Sequence, residues 1–136
     1  MNHLKTLLKA ILFTFAFFVF VQQSYAKTQV VKLVTEYHVN PIGIDIKIPR
    51  LSWQILSEEN NVSQTAYEIR VADSKSNLSK KSKQVWATGK VAGDKSVNVV
   101  YERVGLKSME RAYWQVRVWD NNNKATDWSE PAFWEM

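Results

Sequence analysis

The chain has 136 residues, no cysteine, two histidines and a formal net charge of +5. Lack of cysteine excludes a disulfide framework, a thiolate metal site and a lipid-modified N-terminal cysteine. The charge excess is small, and the one compact basic cluster, Lys80, Lys81 and Lys83, reads as a solvated loop rather than the broad basic face that nucleic-acid binding needs.

At the N-terminus, Lys5 and Lys9 precede an apolar run over residues 10–21, which gives way to Gln22, Gln23 and then Ser24-Tyr25-Ala26. The run is too short for a hydrocarbon core that takes roughly 20 residues, and small residues at 24 and 26 suit signal peptidase. Residues 1–26 are therefore predicted to be a signal peptide cleaved after Ala26, with an uncleaved anchor as the rival reading. Export to the periplasm or the medium follows, with no membrane attachment once the leader is gone. Cleavage takes two of the 18 basic residues and none of the 13 acidic ones. The remainder, residues 27–136, has the usual size of one domain with one core.

This remainder shows short alternating runs separated by polar turns, and no apolar spacing of helical period. Strands are predicted over residues 30–37, 51–55, 67–71, 84–91, 96–101, 111–120 and 132–135. The strongest is 111–120, where Ala112, Trp114, Val116 and Val118 share one face and Tyr113, Gln115, Arg117 and Trp119 the other. Residues 92–95 and the run Asn121-Asn122-Asn123 supply turns, since Asn tolerates the left-handed conformation. About seven short strands at this spacing predict an all-β, two-sheet Greek-key sandwich, with an up-and-down barrel as the alternative. The predicted core is Trp53, Tyr67, Ile69, Val71, Trp114, Val116 and Val118, with Trp53 as its largest contributor.

The search for chemistry returns little. His38 is the one histidine of residues 27–136 and reads as a structural or exposed residue. Asp120, Asp127 and Glu130 bracket one turn, and turn capping explains them more simply than catalysis; Glu58-Glu59-Asn60-Asn61 has the composition of a solvated loop. No catalytic residue, metal ligand set, phosphate loop or cofactor is assigned. Six tryptophans do invite a surface reading, because indole faces stack on sugar rings. Trp86, Trp119 and Trp128 are the candidates for a carbohydrate or domain-docking surface, Trp119 because it alternates with Trp114. Docking onto a neighbouring domain is the reading preferred over sugar binding.

Several motifs together resemble a known family. The stretch from Leu106 through Trp114-Gln115-Val116-Arg117-Val118 and Asn121-Asn122-Asn123 to Trp128-Ser129-Glu130-Pro131 is similar to the last strands of fibronectin type III domains, which belong with immunoglobulin-like sandwiches. More narrowly, five motifs in order resemble the N-terminal domain of bacterial alpha-L-rhamnosidases, an inverting glycoside hydrolase family. They begin with Asn40-Pro41-Ile42-Gly43-Ile44-Asp45 with Pro49-Arg50-Leu51-Ser52-Trp53, followed by the segments over residues 64–71, 85–91, 114–120 and 128–136. The resemblance implies an accessory scaffold domain of a secreted enzyme that removes terminal alpha-L-rhamnose, with acidic catalytic residues far downstream in an (α/α)6 barrel. Its implied partners are that barrel and further β-sandwich domains, in cis or in trans, and rhamnosylated glycans are a further candidate. A free carbohydrate-binding module and a fibronectin-like docking protein are the competing readings. One departure stands out: Ala112 occupies the position where such domains usually carry a tyrosine, six residues after Leu106, whose hydroxyl bonds back to the backbone. Either Tyr113 substitutes through a local shift or the corner is weakened.

Overall fold

The computed structural model describes residues 27–103 and 105–136, so the leader expected over residues 1–26 lies outside the described residues. Among the described residues eight strands form: β1 Gln29–Thr35, β2 Arg50–Leu56, β3 Gln64–Ala72, β4 Gln84–Ala87, β5 Val91–Ala92, β6 Val99–Val100, β7 Arg111–Asp120 and β8 Ala132–Glu135. One sheet has the order β1-β2-β6; the other runs β4-β3-β7-β8, with β5 also paired to β3, and every pairing is antiparallel. This is the sandwich of the immunoglobulin and fibronectin type III kind, not a barrel.

Alternation explains which residues enter the core. Along β7 every second residue is buried, and Ala112, Trp114, Val116 and Val118 have no exposed surface. β3 presents Tyr67, Ile69 and Val71 beside them, while Val30, Leu33, Leu51 and Trp53 come from the opposite sheet. All seven predicted core residues are buried. The ranking among them shifts, because Trp114 and Trp134 are fully enclosed whereas Trp53 retains slight exposure and anchors its indole through Nε1, which donates to Gln64 Oε1 at 3.0 Å.

Several boundaries differ from expectation for backbone reasons. The first strand stops at Thr35 because Glu36 and Tyr37 adopt positive φ (48° and 66°) and a tight reversal pairs Thr35 with His38. The run over 84–91 is broken at Gly89, whose φ of 64° is left-handed, so β4 and β5 pair with different parts of β3. Asn123 takes the left-handed conformation expected of the turn after β7, at φ 57°.

Ala112 faces inward opposite Trp134, and Tyr113 points to the outer face against Phe133, so no local shift brings Tyr113 into the corner. Tyr101 is almost fully buried, and its ring meets Trp86 and Trp134 edge-on with centroids 5.1 and 5.0 Å away. Burial raises the Tyr101 phenol above its usual pKa.

Candidate functional site

The three candidate tryptophans do not share one surface. Trp86 lies opposite Val71 on the inner side of its sheet and packs edge-on to Tyr101, completing the core margin. Trp119 and Trp128 lie on the outer face of the five-stranded sheet, and the side chain that joins them is Arg117, which sits over both rings at 4.9 and 4.8 Å from their centroids.

This outer face is built by the register of β3 against β7. Glu68 pairs with Arg117 and Arg70 with Gln115, which sets two guanidinium groups side by side on alternate positions. The return segment after β7 is tied down by Ser129, whose amide donates to Val116 O and whose hydroxyl accepts from Val116 N, and it lays Trp128 across them. Arg70 then stacks on Trp128 at 3.9 Å, and Lys90 covers Trp119 at 4.5 Å. The order of contacts is thus Lys90, Trp119, Arg117, Trp128, Arg70.

Each arginine is fixed from the side. Glu68 Oε2 accepts from Arg117 Nε at 2.8 Å and pairs with its Nη2 at 2.6 Å. Gln115 Oε1 accepts from Arg70 at 3.0 and 2.7 Å, and Gln115 Nε2 donates to Ser129 O at 2.6 Å. Burial and the neighbouring Arg117 charge lower the pKa of Arg70. The same arrangement continues along the sheet, where Arg111 stacks on Phe133 at 4.3 Å and pairs with Glu135. A sugar stacking on Trp119 or Trp128 therefore competes with cations already seated over the indoles. The sequence reading missed Arg70 and Arg117. Their signal was charge on the outward positions of two strands, and it becomes legible only once the strands are registered.

Two carboxylates near this face, Asp120 and Asp127, are committed to structure. Asp120 Oδ1 accepts from the amides of Asn122 and Lys124 at 2.9 and 2.8 Å, capping the turn. Asp127 pairs with Lys27, whose hydrogen bond and charge hold its pKa below the usual carboxylate value, the opposite direction from a general acid. Glu130 is exposed. His38 is exposed and bonded through its backbone to Thr35. Among the described residues no group of three or more His, Cys, Asp or Glu is placed to hold a metal ion. A groove of about 550 Å³ runs between β1 and residues 127–132, and the Lys27–Asp127 pair lies along its lining.

Comparison with known proteins agrees on one kind of relative. The family model described as Rha78A-like, N-terminal immunoglobulin domain matches residues 30–136. An alpha-L-rhamnosidase of Streptomyces avermitilis is 45% identical over 100 residues, covering 74% of this chain and 10% of the relative. One of Formosa agariphila is 41% identical over 105 residues, covering 77% and 11%. Among solved structures, the Streptomyces avermitilis alpha-L-rhamnosidase complexed with L-rhamnose superposes with a TM-score of 0.75 at 42% identity, over 80% of this chain and 10% of that one. The alpha-L-rhamnosidase of Dictyoglumus thermophilum gives 0.74 at 32% identity, over 79% and 12%. The chain spans about a tenth of the length of the relatives it matches.

Proposed function

We propose, from the premise that this chain belongs to the family of Rha78A-like N-terminal immunoglobulin domains, that it is the non-catalytic accessory domain of an exported alpha-L-rhamnosidase. The observation that carries this reading is the match over residues 30–136 to one segment of proteins about ten times longer. The commitment of Asp120 and Asp127 to a turn and an ion pair agrees with chemistry housed elsewhere. Export rests on the leader pattern of residues 1–26. In this role the domain contributes a rigid face to the folded enzyme, and hydrolysis of terminal rhamnose belongs to the parts that follow it. Stacking of a glycan on Trp119 or Trp128 is the weaker reading, because it must displace Arg117, Lys90 or Arg70.

The test is a domain exchange in the Streptomyces avermitilis enzyme, replacing its matching segment with residues 27–136. The chimera is expected to accumulate and hydrolyse an aryl alpha-L-rhamnoside, while the enzyme lacking any such segment is impaired. A chimera no better than the deletion would sink the accessory-domain reading.

A further inference from the structure

The start of β7 lacks the ring that closes this corner in other immunoglobulin-like sandwiches. Such domains carry a tyrosine near the start of the corresponding strand, with its hydroxyl bonded back to the backbone a few residues upstream. Here the position is Ala112, which faces inward with no exposed surface, while Tyr113 turns to the other side. Beside Ala112 the structure leaves a cleft of about 300 Å³, bounded by the end of β3, by β4, by the connection from β6 to β7 and by the start of β7. Its apolar lining consists of the half-buried Val85 and Leu106, the nearly buried Tyr101, and Ala72 and Ala112, which are closed to water and end the cleft on its inner side. An apolar cavity of about 150 Å³ already admits benzene, and small-molecule sites begin at about 300 Å³. The cleft therefore has room for one substituted ring, which would meet the Tyr101 ring and the Leu106 side chain.

The charged residues of the lining decide the chemistry of that ring. Arg103 donates to Val85 O, and Arg111 pairs with Glu135. Asp73 Oδ1 accepts from Asn77 Nδ2 at 2.8 Å and Glu110 Oε2 from Lys107 N at 2.8 Å, and an ionised carboxylate has acceptor sites for further donors. The hydrogen bond from Asn77 also holds the pKa of Asp73 below the usual carboxylate value, so this group stays an acceptor. Both arginines are thus met by acceptors of the protein itself, while the two carboxylates retain lone pairs. A neutral O–H donor suits such a rim better than an anion.

We propose that this cleft binds a small neutral hydroxyaryl compound, with its ring between Tyr101 and Leu106 beside Ala112 and its hydroxyl donating to the carboxylate of Asp73 or Glu110. The bound ring takes the place of the side chain that Ala112 does not supply. The site uses only the fold of this chain, so it stands or falls apart from the accessory-domain reading.

The probe is 4-methylphenol, the tyrosine side chain as a free molecule, titrated into the full chain carrying labelled alanine methyl groups and followed by NMR. Saturable ring-current shifts are expected at Ala72 and Ala112, with a dissociation constant on the order of 1 mM. Ala66 and Ala92, paired with each other at the opposite end of β3, should not move. Toluene, which lacks the hydroxyl, should bind roughly fivefold more weakly, and Ala112→Tyr should weaken 4-methylphenol at least about tenfold by filling the site from within. Absence of saturation, or shifts spread evenly over all four methyls, overturns the site. Toluene or benzoate binding as tightly as 4-methylphenol overturns the hydroxyaryl assignment, and undiminished binding by a folded Ala112→Tyr overturns the location. Should Ala112→Tyr fail to fold, the shifts at Ala72 and Ala112 in the parent decide the location alone.

Discussion

Both faces of β7 carry a tryptophan and use it in opposite ways. On the inner face, Ala112, Trp114, Val116 and Val118 lose all contact with water and pack against the second sheet. On the outer face, Arg117 and Trp119, with Trp128 laid beside them, stay partly exposed and are covered by one another and by Arg70 and Lys90. An indole inside the sandwich contributes through area removed from water; an indole outside contributes through cations held over its ring. The tryptophans of this small domain thus serve two ends, filling of the core and stacking with cations.

The sharpest way to break the comparison is at the inner face. Trp114→Ala should cost roughly 3–5 kcal/mol against a total of roughly 5–15, leaving a marginal or unfolded chain by thermal melting, and Trp53→Ala should follow closely. If either variant melts within a few degrees of the parent, its indole is not the core element described. Ser129→Ala tests the joint between the faces. It strips the buried Val116 amide of a hydroxyl partner and loosens the segment that carries Trp128, so a loss of about 1–3 kcal/mol is expected by denaturant titration.

Outer-face changes should be smaller. Arg117→Ala removes a cation shared by two rings and should cost about 0.5–2 kcal/mol; a loss as large as that of Trp114→Ala would erase the distinction between the faces. The same face offers a binding test. Titration with rhamnose or a rhamnosylated oligosaccharide is expected to leave tryptophan fluorescence unchanged, and a saturable response abolished by Trp119→Ala would make this face a glycan site.

The smallest effect is electrostatic and lies at the base of the segment between β1 and β2. Hydrogen bonding to Arg50 holds the pKa of Glu36 below the usual carboxylate value of 4.5, against an opposing desolvation. A carboxylate with a depressed folded pKa adds stability above its unfolded value and loses it as pH falls through the folded one. Stability should therefore decline as pH drops below about 4.5, and Glu36→Gln should flatten that part of the profile. A variant with the parent's slope there would remove Glu36 as the cause.

What the amino-acid sequence determines by itself follows from local chemistry. Period-two alternation identified the all-β class and placed Trp114, Val116 and Val118 on one face, and the tolerance of Asn for left-handed backbone marked the turn after β7. The ordered motifs around Trp53 and Trp128 pointed to the family whose model matches residues 30–136. The rest needed the tertiary structure, because alternation says which side of its own strand a residue takes but not what lies opposite. Cross-strand register depends on remote features such as the shift between Gln64 and Ala66, and that register brings Arg70 and Arg117 to Trp128. Trp86 reads from the sequence as a surface candidate beside Trp119, yet its pairing with Val71 turns it inward. The segment after β1 was equally hidden: Pro41 and Ile44 bond through their backbone to Glu135, some ninety residues away in sequence, and the Ile42 side chain between them stays exposed.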